Sequence, residues 1–230
     1  MRPRGAPLAA AGLLAFLAFG AARAQTGGLA LETTEGGRWR PGEVVERIAC
    51  LSDPSQSYAL YLPPRYDAGR GWPVVFLMDP RGRALVPLEL FKDAAGRLGY
   101  ILISSYDTAS DGPRDTNAPA LTAMLADARR RFSVDARRFY LAGFSGTARS
   151  GWEFSVQLAG KVAGLMGFGG GLPEGFAPSA TMTFVFFGGA GTTDFNYEEM
   201  RALEVKLASI GIPHRFAWYD GPHSWPPAEV

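Results

Sequence analysis

Ser145 stands in Gly143-Phe144-Ser145-Gly146-Thr147, directly after the apolar run Phe139-Tyr140-Leu141-Ala142 and before a segment carrying Trp152, Phe154 and Val156. A serine on a tight turn between strand and helix can serve as a nucleophile, because the turn lifts its hydroxyl clear of the backbone and the helix N-terminus favours negative charge beside it. Such a turn strains the serine backbone and brings strand and helix close together, so its neighbours must be small. Gly143 and Gly146 satisfy that demand. Thr147 does not: the full pattern is G-x-S-x-G, and a β-branched residue at its last position is expected to crowd the turn.

A serine nucleophile needs a base and a group to orient it. The chain has two histidines. His223 follows the last apolar run, in Asp220-Gly221-Pro222-His223-Ser224-Trp225-Pro226-Pro227, where Gly and Pro hold the chain in a loop from which an imidazole can reach the serine. His214 precedes the same run and is expected at the opposite end of the sheet. For the acid, Asp194 in Gly191-Thr192-Thr193-Asp194-Phe195-Asn196-Tyr197 is favoured, with Glu174 as the alternative. An aspartate at that place also suits a helix N-cap. An oxyanion needs two backbone N–H donors. Gly146 supplies one, and the loop Asp79-Pro80-Arg81-Gly82-Arg83 is expected to supply the other from Arg81, since proline has no N–H. Arg81 and Arg83 are expected at the rim of the site as solvated side chains.

These residues require a scaffold. Strand-like runs cover Val44–Leu51, Tyr58–Leu62, Val74–Met78, Tyr100–Ser105, Arg138–Phe144, Val162–Phe168, Thr183–Gly188 and Arg215–Tyr219. Several are apolar without interruption, as expected of strands buried on both faces of a parallel sheet. Helical spacing covers Leu85–Leu98, Ala118–Phe132, Thr147–Gly160 and Tyr197–Gly211. Strands first, then alternating strand and helix, predict an α/β domain with a mostly parallel central sheet and helices on both faces. The segment from Gly169 to Thr181 is short and rich in Gly and Pro, which predicts an open site without a large lid.

Composition narrows the function classes. With 230 residues, 47% hydrophobic and 20% charged, and a formal net charge of +1, the chain reads as one globular domain with no basic face for nucleic acid. Arg2 and Arg4, an apolar stretch from Leu8 to Ala22 and the small-x-small triplet Ala22-Arg23-Ala24 predict a signal peptide over residues 1–24, and hence export to the periplasm or medium. The domain then covers residues 25–230. The apolar stretch is shorter than the roughly 20 residues of a membrane span, so no stable membrane anchor is expected. Cys50 is the only cysteine and is expected to be buried and inert.

Together, Tyr58-Ala59-Leu60-Tyr61-Leu62-Pro63, Leu77-Met78-Asp79-Pro80-Arg81-Gly82, Ala142-Gly143-Phe144-Ser145-Gly146, Asp194-Phe195-Asn196-Tyr197 and Gly221-Pro222-His223-Ser224-Trp225-Pro226 resemble a bacterial branch of the α/β-hydrolases. That branch is close to the esterase D, polyhydroxybutyrate-depolymerase and feruloyl-esterase-like proteins. The order Ser145, Asp194, His223 is the order of that fold. The resemblance implies an α/β-hydrolase fold and hydrolysis of small-molecule or polymeric carboxylic esters through an acyl-serine, with no metal or organic cofactor. Two departures accompany it: Asp79-Pro80 stands where His-Gly is usual, and the usual C-terminal helix after the histidine is missing, which is expected to leave apolar surface uncovered. A peptidase or acyltransferase using the same three residues, and a non-catalytic binding protein on the same scaffold, are the competing readings.

Overall fold

The computed structural model describes residues 39–110, 112 and 115–230. The signal-peptide assignment over residues 1–24 falls outside these residues. Eight strands form one sheet: β1 (Val44–Ala49), β2 (Ser57–Tyr61), β3 (Trp72–Met78), β4 (Ile101–Ser105), β5 (Val134–Phe144), β6 (Val162–Phe168), β7 (Val185–Gly191) and β8 (His214–Tyr219). The helices are α1 (Leu85–Leu98), α2 (Asn117–Arg131), α3 (Gly146–Gln157) and α4 (Tyr197–Ile210). The strand order is β1-β2-β4-β3-β5-β6-β7-β8. β1 and β2 enter antiparallel, and every pairing from β4 through β8 is parallel.

Alternation along β3 sorts the core into two layers. Val74, Phe76 and Met78 pack with residues of α2, α3 and α4. Val75 and Leu77 point the other way and pack with Leu88 and Ala95 of α1. Both faces therefore bury apolar side chains, which explains why the β3 sequence shows no polar alternation. α1 and α4 end where Gly99 and Gly211 turn left-handed, at φ 79° and 77°. Cys50 is buried, and burial, with help from the Asp127 charge, pushes its thiol up to about 12, so no reactive thiolate forms near neutral pH.

Two strand boundaries differ from expectation by three or more residues. β5 begins at Val134, which pairs with Trp72, rather than at Arg138. β7 runs on through Gly188-Gly189-Ala190-Gly191, whose register follows Phe216 to Tyr219 of β8. Glycines weaken a strand in isolation, but a Cβ on Gly188 would sit 2.6 Å from the rings of both Phe186 and Phe216. Glycine lets those rings pack.

Among the described residues no helix follows β8. The face of β5 to β8 on the α1 side is an open apolar groove of about 560 Å³, lined in part by Phe91, Leu98, Tyr140, Met166, Val185 and Phe187. The segment 169–184 carries no helix or strand before β7. Its Phe176 packs on Trp152 of α3 (ring centroids 5.9 Å), so it folds against the core.

Candidate active site

All the candidate site residues lie at the C-terminal edge of the parallel strands, the edge where open α/β sheets place ligands. β5 runs directly into α3, and Ser145 is the residue between them. Its φ of 55° is the one positive value at a non-glycine among the described residues. Strain of this kind costs about 1–3 kcal/mol and persists only where the surroundings impose it. They do so here through close packing. A Cβ on Gly143 would sit 2.6 Å from the Ala148 nitrogen, and one on Gly146 would collide with Ser110.

Thr147 does not crowd this turn. It is fully buried, and its hydroxyl ties the turn together. Thr147 Oγ1 accepts from the Phe144 N–H at 3.1 Å and lies 2.6 Å from the Met78 carbonyl of β3 and 2.8 Å from the Phe144 carbonyl. A glycine there could make none of these bonds.

Three distant side chains meet above this turn. Ser145 Oγ lies 3.0 Å from His223 Nε2, and His223 Nδ1 lies 2.8 Å from both Asp194 carboxylate oxygens. The Asp194 side chain is fully buried, whereas the His223 side chain keeps 21% of its surface exposed. The Asp194 carboxylate also accepts the Asn196 N–H at 2.8 Å at the entry to α4, so it serves the helix start and the histidine together. Glu174, the alternative acid, lies exposed in the segment between β6 and β7. His214 opens β8 at the other end of the strand, with Nδ1 2.7 Å from the Ile212 carbonyl.

The imidazole is bracketed by rings, Phe144 at 4.5 Å and Phe195 at 4.1 Å between centroids. Phe195 is 77% exposed, so the mouth of the site is open and partly aromatic. The histidine loop is pinned by Tyr219, whose hydroxyl donates to the Ser224 carbonyl at 3.0 Å. Burial, and then the Asp194 charge, pushes that phenol up to about 12, so it remains a donor at working pH. On the β7 side, Thr193 donates both its N–H (3.1 Å) and its hydroxyl (2.8 Å) to the Gly221 carbonyl.

Gly169 and Gly170, at the end of β6, were not legible as site residues. Gly169 has φ 54°, and a Cβ there would sit 2.8 Å from Asp194 Oδ2 and 3.2 Å from His223 Nδ1. A Cβ on Gly170 would collide with the Ser145 carbonyl. The only sequence signal was the run Gly169-Gly170-Gly171 itself. Asn196 was also missed; its side chain donates to the Gly169 carbonyl at 2.7 Å.

The donors near the expected oxyanion position differ from one another. Gly146 opens α3, so its N–H has no carbonyl within the helix to bond. The Arg81 N–H donates to Asp79 Oδ1 at 2.9 Å. The Gly82 N–H goes to the Asp79 carbonyl and the Arg83 N–H to Asp79 Oδ1. Arg81 and Arg83 both stay exposed, as expected of rim cations, but the Arg83 guanidinium also meets both Asp79 oxygens, at 3.0 and 2.9 Å. Burial alone would raise the Asp79 carboxyl. Hydrogen bonds from Arg83, Trp225 and the Arg81 and Arg83 amides overcome it and hold the group below its ordinary 3.8.

No protein-family model matches the sequence, and no curated protein matches it. Solved structures do match the fold. A ferulic acid esterase aligns over 80% of this chain and 92% of its own, with a TM-score of 0.62 and 16% identity. The fluorophosphonate-binding serine hydrolase F of Staphylococcus aureus, with substrate bound, aligns over the same shares with a TM-score of 0.63 and 12% identity. Dipeptidyl peptidase 4 of Porphyromonas gingivalis aligns over 81% of this chain but 33% of its own, with a TM-score of 0.59 and 16% identity. The chain has the α/β-hydrolase fold.

Two outcomes follow. Thr147→Val should destabilise by about 1–3 kcal/mol in urea unfolding, because the buried Phe144 N–H loses its acceptor, while Thr147→Ser should recover most of the loss. Asp79 is ionised more readily folded than unfolded, so its stabilisation is complete above pH 3.8 and fades as pH falls through the lower folded value. The acid limb of the stability–pH curve below about pH 4 should therefore be flatter in Asp79→Asn than in the wild type.

Proposed function

We propose that the protein is a serine hydrolase that cleaves carboxylic esters through an acyl-serine intermediate. The observation that carries this reading is the continuous line from Ser145 Oγ through the His223 ring to the buried Asp194 carboxylate, built on a strained strand-to-helix turn. His223 takes the Ser145 proton on Nε2 as Oγ attacks the acyl carbon. Asp194 holds the Nδ1 proton and stabilises the imidazolium. The Gly146 N–H receives the oxyanion. Arg81 is the second donor we assign, and to act it must share its N–H with Asp79 or release it as charge develops. The imidazolium then protonates the departing alcohol, and a water activated by His223 releases the acid and restores Ser145. No metal or organic cofactor enters these steps.

The neighbours in fold support this reading in part. One is a ferulic acid esterase and one a fluorophosphonate-binding serine hydrolase, but another is a dipeptidyl peptidase. The same three side chains could therefore serve an amide. Two features favoured a non-catalytic protein, Thr147 and the missing C-terminal helix; the first loses its force because Thr147 is built into the turn, while among the described residues no helix follows β8.

The purified protein should hydrolyse p-nitrophenyl esters and be labelled by a fluorophosphonate at Ser145, and Ser145→Ala should lose at least about 10³-fold in kcat. Faster turnover of an aminoacyl p-nitroanilide than of any ester in a panel would move the assignment to a peptidase. We also propose that residues 1–24 direct export. Expressed in a bacterium with its leader, the protein should be recovered outside the cytoplasm with Gln25 as its first residue by N-terminal sequencing. Recovery of the intact leader in the cytoplasm would contradict this.

A further inference from the structure

The surroundings of Asp79 point to a role for a residue outside the reacting trio. Asp79 follows β3, and its side chain is completely buried. Four of its carboxylate bonds come from its own turn, from the Arg81 N–H and from the backbone and guanidinium of Arg83. One comes from far along the chain: Trp225 Nε1 donates to Asp79 Oδ2 at 2.8 Å, across 146 positions of sequence. Trp225 stands two residues after His223. Its indole is buried against Phe144 (5.6 Å), Phe168 (5.8 Å) and Phe91 (6.2 Å), and the Phe144 ring in turn touches His223. The other ties of the histidine loop, from Tyr219 and Thr193, come from β8 and the β7 end. Beside the His223–Ser145 bond itself and the ring contacts with Phe144, Trp225 to Asp79 is the hydrogen bond among the described residues that ties the loop to the Ser145 side of the sheet, since β3 is the hydrogen-bonded neighbour of β5.

We infer that Asp79 is a positioning residue for His223. Its carboxylate, neutralised by Arg83, anchors the Trp225 indole and so holds the histidine loop over Ser145. A charged acceptor suits this better than a neutral one, because charge-assisted hydrogen bonds are roughly twice as strong. The same carboxylate fixes the turn carrying Arg81, so one buried group sets the spacing between the β3 turn and the histidine loop. A displacement of about 1 Å at a reacting group can cost on the order of 100-fold in rate.

The activity arm of the test rests on the esterase reading; the exchange arm does not. Trp225→Phe removes the N–H and keeps an aromatic ring, and Asp79→Asn removes the charge. In both variants kcat for an aryl ester should fall roughly 10- to 100-fold with KM within about twofold. The double variant should fall no further than Asp79→Asn alone, because both substitutions cut one tie. Hydrogen–deuterium exchange followed by mass spectrometry should show faster exchange confined to Gly221–Trp225 in Trp225→Phe, with β3 and β5 still protected. Wild-type protein without ester turnover, but with this local loosening in the variant, would remove the esterase reading and leave the anchor standing. An active wild type whose Trp225→Phe variant keeps both its kcat and the protection of the loop would overturn the anchor. A rise in exchange across the whole sheet would also overturn it, by showing a role in overall stability.

Discussion

The site is shaped by one geometric constraint: the serine is carried by β5 and the histidine by β8, with β6 and β7 between them. Strands lie about 4.8 Å apart, so three spacings put the two strand ends roughly 14 Å from each other. No side chain bridges that distance, so the histidine loop must lie back across the sheet edge. The residues at the ends of the intervening strands answer that need. β7 supplies Asp194, which meets the imidazole halfway, and Thr193, which holds the loop by Gly221. β6 supplies Gly169 and Gly170, whose missing side chains leave room for the imidazole, the carboxylate and the serine backbone. β3, on the far side of β5, supplies the buried acceptor for Trp225. β3 and β5 to β8 thus each contribute either a group or a gap.

Local energetics make the serine side of this arrangement rigid. The positive φ of Ser145 is unfavourable by itself, and the gain from a strand running straight into a helix must offset it. Gly143 and Gly146 remove the clashes, while the Thr147 hydroxyl bonds the turn to itself and to β3. A glycine in place of Thr147 would give the same space but leave the Phe144 N–H and the Met78 carbonyl without that hydroxyl. The departure from the full glycine pattern exchanges backbone freedom for a hydrogen-bonded lock, and the lock joins β3 to the turn at the same height as Asp79.

Much of the scaffold is legible in the sequence, and the reason is periodicity. The continuous apolar run of β3 and the helical spacing of α1 report burial directly, and α1 is found at its expected bounds. The positions of Ser145, Asp194 and His223 are legible because a strand–turn–helix and two loops after strands can be seen as local patterns. What is not legible depends on contacts between segments far apart in sequence. The glycines of β7 look like a strand end until the rings of Phe186 and Phe216 are in place. Asp79 reads as a turn residue, and nothing local reveals that Arg83 and Trp225 will surround its carboxylate. Arg81 is chosen by elimination of proline, an argument that sees which residues own an N–H but not where that N–H points; in the fold it points at Asp79. Thr147 reads as an intrusion because the pattern records size and ignores the hydroxyl.

The openness of the site bears on which reaction the three side chains would serve. Acyl transfer to an alcohol or amine competes with water at the acyl-serine, and sites that favour transfer exclude water. Here the His223 side chain remains 21% exposed, Phe195 stands 77% exposed beside it, and the segment 169–184 packs down on α3 through Phe176 instead of covering the mouth. An exposed histidine edge and an exposed neighbouring ring leave the site accessible to water, an arrangement that suits the proposed hydrolysis more than transfer. The same openness offers few walls to select a leaving group. The histidine face is bounded by the exposed Phe195 ring and the buried Phe144 ring, a surface suited to a flat or apolar substituent more than to a charged one. Arg81 and Arg83, expected as solvated side chains at the rim, both stay exposed. Arg83 pairs with Asp79, where its charge secures the anchor of the histidine loop.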